Sequence, residues 1–137
     1  MPVKRVSPDE ARDLIDKEGY TYLDVRSVPE FEGGHPSGAF NVPLMHSGPG
    51  GMSPNPDFLG VVQKAFPADA KLVLGCKGGG RSLRAAEMLQ AAGFKAIVDQ
   101  RAGFEGSPAE AGWRPRGLPT SASAEPGRGY ESLRTKK

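Results

Sequence analysis

A single cysteine, Cys76, closes an apolar run and opens the segment Cys76-Lys77-Gly78-Gly79-Gly80-Arg81-Ser82, after which helical spacing begins. Residue types in that order define a chemistry. The three glycines permit backbone angles that turn successive N–H groups inward as a nest for an anion. The start of the following helix points its positive end at the same place, and Lys77 and Arg81 add charge. A thiol held there is favoured as the thiolate, with about 0.3 to 2 kcal/mol from the helix end alone. Arg84, one turn beyond Gly80, is a further cation for the same mouth. Cys76 therefore reads as a nucleophile. The commoner fate of a lone thiol is burial as an inert apolar group, but that would leave the glycines and cations unexplained. A side chain turned away from the loop amides and out of reach of solvent would end the nucleophile reading.

The elements that must position this loop alternate along the chain, as in a parallel sheet with helices packed on its faces. Strand candidates are Val3 to Val6, Thr21 to Val25, Gly38 to Val42, Lys71 to Cys76 and Ala96 to Val98. Ser7-Pro8-Asp9-Glu10 is a capping box with proline at the first helical position, and Ser27-Val28-Pro29-Glu30 repeats the pattern for a short helix around Phe31. Phe58, Val61, Val62 and Ala65 mark a third helix over Asp57 to Phe66. Ala85, Met88, Leu89 and Ala92 mark the helix after the glycines, which Gly93 ends. The Gly, Ser and Pro content of His46 to Pro56 predicts a surface loop. In such sheets ligands bind beyond the carboxyl ends of the strands, which is where the Cys76 loop begins.

At 137 residues the chain is one domain's worth of sequence, and 19 Gly with 13 Pro imply many turns around a modest core. One cysteine cannot form an internal disulfide, and no stretch approaches the roughly 20 apolar residues of a membrane span. The first residues lack the apolar stretch of a signal peptide, so a reducing cytoplasm is the expected setting. The net charge of +2 is unevenly placed. From Arg114 onward there are six basic and two acidic residues, a net of +4, which leaves 12 basic and 14 acidic residues in the first 113. A basic globular face for nucleic acid is not indicated. The division expected is a domain over 1–118 and a basic, flexible tail over 119–137, in which Tyr130, Leu133 and nearby basic groups form a short segment able to dock a partner.

Two other loop types share part of the pattern. Gly75 to Ser82 matches the nucleotide-binding template G-x-x-x-x-G-K-[ST] except at Arg81, and Val98-Asp99 imitates its metal-coordinating strand end. A forked guanidinium does not replace the slim lysine that folds back along such a loop. Cysteine phosphatases place five residues between cysteine and arginine, and this chain has four. The shorter loop encloses a smaller anion hole, better matched to a persulfide or sulfuryl group than to a phosphate ester.

Those residues, with Tyr22-Leu23-Asp24-Val25-Arg26, Glu30-Phe31 followed by Gly34-His35, Gly38-Ala39, Asn41-Val42-Pro43 and the stretch Gly51 to Phe58, resemble a single-domain rhodanese, a thiosulfate sulfurtransferase, over roughly Val3 to Leu118. The resemblance implies an α/β fold with an open, mostly parallel five-stranded sheet and helices on both faces. It implies a ping-pong reaction in which Cys76 takes the outer sulfur of thiosulfate or a similar small anionic donor as a persulfide, sulfite leaves, and a thiol, a protein acceptor or cyanide collects the sulfur. Amides from Lys77 through Ser82 would hold the persulfide, with Lys77 and Arg81 orienting the donor and stabilising departing sulfite. No metal or organic cofactor is implied. Asp24 and Arg26 would support the loop as an ion pair or hydrogen-bonded brace. His35 is assigned a structural hydrogen bond rather than a catalytic role, and two isolated histidines with one cysteine do not make a metal site. Gly34-His35-Pro36-Ser37-Gly38-Ala39 departs from the family's usual Gly-His-Ile-Pro-Gly-Ala, and Trp113 arrives late after Ala102-Gly103, so Gly106 to Gly112 reads as an insertion. The competing functions are a small-anion cysteine phosphatase or arsenate reductase and a non-enzymatic binding module on the same scaffold.

Overall fold

The computed structural model describes residues 3–78, 80–122 and 126–135. The first strand, β1 (Lys4–Val6), leads into α1 (Pro8–Glu18) through the predicted box: Glu10 N donates to Ser7 Oγ at 3.1 Å and Ser7 N donates to Glu10 Oε1 at 2.8 Å. Gly19, at φ 76°, ends that helix in the left-handed conformation that glycine takes without a steric penalty. The chain continues through β2 (Thr21–Asp24), α2 (Val28–Glu32), β3 (His35–Pro36), β4 (Phe40–Asn41), β5 (Met45–Gly48), β6 (Gly51–Pro54) and α3 (Phe58–Ala65). Then come β7 (Lys71–Gly75), α4 (Gly80–Ala91), β8 (Ala96–Gln100), β9 (Gly106–Ser107), β10 (Glu110–Ala111), β11 (Thr120–Ser121) and α5 (Tyr130–Arg134).

Five strands form one sheet in the order β1-β8-β7-β2-β4, and every neighbouring pair is parallel. This is the α/β architecture the sequence predicts. Alternation along the strands sorts the core into two layers. Leu72, Leu74, Leu23, Val25 and Ile97 face one side with Phe58, Val61 and Val62 of α3 and Ala85, Ala86 and Leu89 of α4. Tyr22, Val73 and Val98 face the other with Ala11, Phe31, Phe104 and Trp113. The strand at the centre of the order, β7, is buried from Leu72 to Gly75.

Two expectations are corrected. The segment predicted as a surface loop is an exposed antiparallel hairpin, β5 with β6, turned at Gly48 and Gly51. The expected free tail folds back over 119–122 and 126–135. β11 pairs antiparallel with β3, Asn41 N donates to Arg128 O at 2.9 Å, and Arg128 Nη1 donates to Gly38 O at 2.7 Å. Tyr130 and Leu133, three apart on α5, sink into the α3 side of the core. Their burial is the physical reason the segment stays down, since each apolar side chain removed from water contributes about 1.5 to 3 kcal/mol. The segment singled out as a possible docking element thus docks on its own domain. The predicted insertion is the β9–β10 hairpin, tied back by two Arg101 to Glu110 hydrogen bonds of 2.9 Å.

Candidate active site

Cys76 follows the last residue of β7, and the chain crosses from it to α4 in three residues, Lys77, Gly78 and Gly79. Gly79 lies outside the described residues. Lys77, Gly78 and Gly80 are exposed, and Arg81 is half-buried at the first turn of α4. Ser82 is fully buried, and its hydroxyl donates to Asp99 Oδ1 at 2.5 Å, so it anchors α4 to the end of β8. Asp99, which imitated a metal-coordinating strand end, takes that bond and another from Arg5 Nε at 2.8 Å. Burial pushes its carboxyl above the ordinary range despite both donors.

Cys76 itself is 2% exposed and belongs to the apolar layer of Leu72 and Leu74. The residue thus lies at the floor of the loop, deeper than a loop residue read from sequence would suggest. Its parity with Leu72 and Leu74 was the available signal. Arg81 is held above its ordinary pKa first by its hydrogen bonds to Glu30, which outweigh the cost of burial, and the carboxylates of Glu30 and Asp24 add to that hold.

The loop is clamped from below by the segment after β8. Phe104 N donates to Cys76 O at 2.7 Å, and Glu105 N and Gly106 N donate to Lys77 O at 3.1 and 3.2 Å. Gly103 makes that approach possible: a Cβ there would stand 2.3 Å from Lys77 O. Gln100 holds the turn, accepting from Ala102 N and Gly103 N at 2.8 and 2.9 Å and donating to Gly103 O at 2.8 Å. Gly75 has a similar reason, because a Cβ on it would meet Tyr22 Oη at 1.8 Å. Burial pushes the Tyr22 phenol well above its usual pKa, which leaves it a neutral packing group under the strand end.

Two arginine–carboxylate pairs flank the mouth. Arg26 Nε lies 3.0 and 3.1 Å from the two Asp24 oxygens, Nη2 reaches Oδ2 at 2.7 Å, and the same nitrogen donates to Gly34 O at 2.6 Å. Burial works against the Arg26 charge, and Asp24 outweighs it, so the guanidinium stays above its ordinary range. Asn41 Nδ2 donates to both Asp24 O and Arg26 O at 3.0 Å, fixing the backbone that presents the pair. Arg81 forms a two-point bridge to Glu30, Nη1 to Oε1 at 2.8 Å and Nη2 to Oε2 at 3.0 Å. Glu30 is set for this by Ser27, whose N and Oγ both donate to its Oε1 at 3.0 and 2.8 Å. Burial alone would raise the Glu30 pKa, but the bonds from Arg81 and Ser27 win and bring it to about 2.

Between these groups lies a pocket of about 280 Å³ lined by Arg26, Pro29, Glu30, Gly34, Lys77 and Phe104, among others. Neither Cys76 nor Arg81 is part of its lining, and Arg84 is exposed on α4 outside it. His35 is fully buried, stacked on Phe31 at 3.8 Å with Nδ1 2.8 Å from Phe31 O, so its position is structural. His46 sits on the β5–β6 hairpin beside Tyr130. Among the described residues no three His, Cys, Asp or Glu side chains cluster as metal ligands, and no helix is long and apolar enough to cross a membrane.

Glu30, Gly103 and Gln100 were not assigned a site role from sequence. Glu30 carried a signal as the third helical residue of a capping box, but its partner lies 51 positions away. The chain also has close relatives. Residues 7–107 match the model of the rhodanese-like domain. Thiosulfate sulfurtransferase 16, chloroplastic, of Arabidopsis thaliana is 44% identical over 117 residues, spanning 85% of this chain and 92% of that protein. Thiosulfate sulfurtransferase 18 of the same plant is 40% identical over 105 residues, 74% of this chain and 76% of the relative. Among solved structures, Rv0390 from M. tuberculosis superposes with a TM-score of 0.77 at 26% identity, covering 90% of this chain and all of that one. With the family model matching most of its length and curated relatives at this identity, the chain belongs to the rhodanese-like domain family.

Proposed function

We propose that the protein is a sulfurtransferase that carries a sulfane sulfur from thiosulfate or a similar donor through a Cys76 persulfide to a thiol or cyanide acceptor. One observation carries the proposal: the only cysteine stands at the carboxyl end of the central strand, on a glycine-rich loop that enters a 12-residue helix, beside Lys77 and Arg81. The relatives named as thiosulfate sulfurtransferases support the same reaction type. In the first half-reaction the Cys76 thiolate forms a bond to the outer sulfur of thiosulfate, the bond between the two donor sulfurs breaks, and its electron pair leaves with sulfite. In the second, an acceptor thiolate or cyanide takes the outer sulfur and the Cys76 thiolate returns.

The burial of Cys76, 2% exposed in the apolar layer, meets part of the condition that would end the nucleophile reading, so the proposal requires its sulfur to open towards the loop amides. A donor must present a terminal sulfur narrow enough to reach the floor of the loop, and the persulfide then extends the side chain by about 2 Å for the acceptor. The positive end of α4 and the loop cations favour the departing sulfite. Four residues between Cys76 and Arg81 argue against a phosphatase.

Intact mass after incubation with thiosulfate tests the proposal. The wild type should gain about 32 Da per added sulfur, cyanide should remove it, and Cys76→Ser should gain nothing. A folded wild type that never gains sulfur would sink the proposal.

A further inference from the structure

Apart from the reacting Cys76 thiolate, the side-chain charges around the mouth cancel in pairs with one exception. Arg26 is matched by Asp24, Arg81 by Glu30, and Glu105, which also lines the pocket, by Arg114. Lys77 lines the same pocket and has no ion pair among the described residues. With the positive end of α4 it leaves the mouth only about one unmatched positive charge. Glu30 sets that balance. Its carboxylate occupies the two-point face of Arg81, and Ser27 fixes it there from the other side.

On the basis of the proposed sulfur transfer, we infer that Glu30 is a specificity-determining residue that holds the mouth near a single positive charge, disfavouring dianionic sulfur donors relative to singly charged ones. Glu30 acts through Arg81 and through the field at the mouth, and takes no part in bond making. A unit charge several ångströms from the donor weighs twice on a dianion and once on a monoanion, and salt screens both effects.

Two donors isolate this effect. Thiosulfate carries two negative charges, and methanethiosulfonate carries the same transferable sulfur with one. With either, the thiolate takes the outer sulfur, and sulfite or methanesulfinate leaves with the bonding pair. The measurement is the second-order rate of persulfide formation on the full chain, followed by mass at low ionic strength. Glu30→Gln should speed the reaction with thiosulfate about tenfold and with methanethiosulfonate about threefold, and added salt should shrink the difference. Glu30→Asp keeps the charge and should keep the wild-type ratio of the two rates. Lys77→Gln, on an exposed side chain, should move the ratio the opposite way by about threefold. An unchanged ratio in both Glu30→Gln and Lys77→Gln, with sulfur still loaded on the wild type, overturns the inference alone. A wild type that takes sulfur from neither donor overturns the proposed function and this inference together.

Discussion

The pairs Asp24–Arg26 and Glu30–Arg81 each put one member, Arg26 and Glu30, on the same pocket and look alike on paper, yet they do different work. Arg26 and Asp24 are two residues apart, and their side chains are 4% and 1% exposed. Arg81 and Glu30 are 51 residues apart, and theirs are 18% and 24% exposed. The first pair shapes the end of one strand from within the protein. The second joins α2 to the first turn of α4 near the surface, where water still screens it. A buried pair is unforgiving, because removing one partner strands the other's charge away from water. A part-exposed pair leaves a charge that water can reach, so its loss should register in the reaction more than in the fold.

The largest effect is expected at Arg26. Arg26→Ala leaves Asp24 buried without its guanidinium and removes the bond to Gly34 O and the stacking over Phe104. The cost should be about 3 to 5 kcal/mol, a melting temperature lower by roughly 10 °C or more for a domain of this size. A loss of less than about 1 kcal/mol in chemical denaturation would place this pair with ordinary surface bridges.

Arg81→Ala is the counterpart, and its two readouts should separate. The fold should lose only about 1 kcal/mol, since a part-exposed bridge is screened and Glu30 keeps Ser27 as a donor. Persulfide formation from thiosulfate should fall at least about tenfold, because Glu30 then faces the donor as an unmatched negative charge. Comparable damage to stability in Arg26→Ala and Arg81→Ala, or wild-type sulfur loading in Arg81→Ala, would erase the contrast between the pairs.

The contrast also explains what sequence could reveal. Four of the five sheet strands announced themselves by short apolar runs, β1 only weakly through the valines flanking Lys4 and Arg5, and both capping boxes by their spacing, because those signals lie within a few residues. Asp24 and Arg26 were legible as neighbours on one strand end. Glu30 and Arg81 were legible singly, but a bridge between α2 and α4 exists only once the sheet has brought their ends together. The same limit hid the docking of α5: its surroundings read as a tail, and Tyr130 with Leu133 gain meaning only against the face that receives them. The β5–β6 hairpin was hidden differently, since its Gly, Ser and Pro residues carry little strand preference and β6 is exposed along its whole length. Gly103 was noticed, but its reason, the carbonyl of Lys77 at 2.3 Å from an added Cβ, belongs to tertiary structure.

The smallest expected effect distinguishes the exposed pair by its titration. The folded-state pKa of Glu30, about 2, lies below its ordinary value of 4.5. Folding therefore favours the ionised form, and the stabilisation is fully present above about pH 4.5, where both folded and unfolded chains hold the carboxylate charged. As pH falls from about 4.5 through about 2, the unfolded chain takes up the proton first and the contribution disappears. Thermal melts of wild type and Glu30→Gln across pH 7 to 2 isolate this group, because other titrating side chains are common to both. The difference in melting temperature should be constant from pH 7 to 5 and close steadily towards pH 2, by a few degrees at most for a group that solvent still reaches. A gap that stays the same down to pH 2.5 would mean that the Glu30 charge contributes nothing to the fold, leaving its bond to Arg81 with electrostatic consequences only at the pocket.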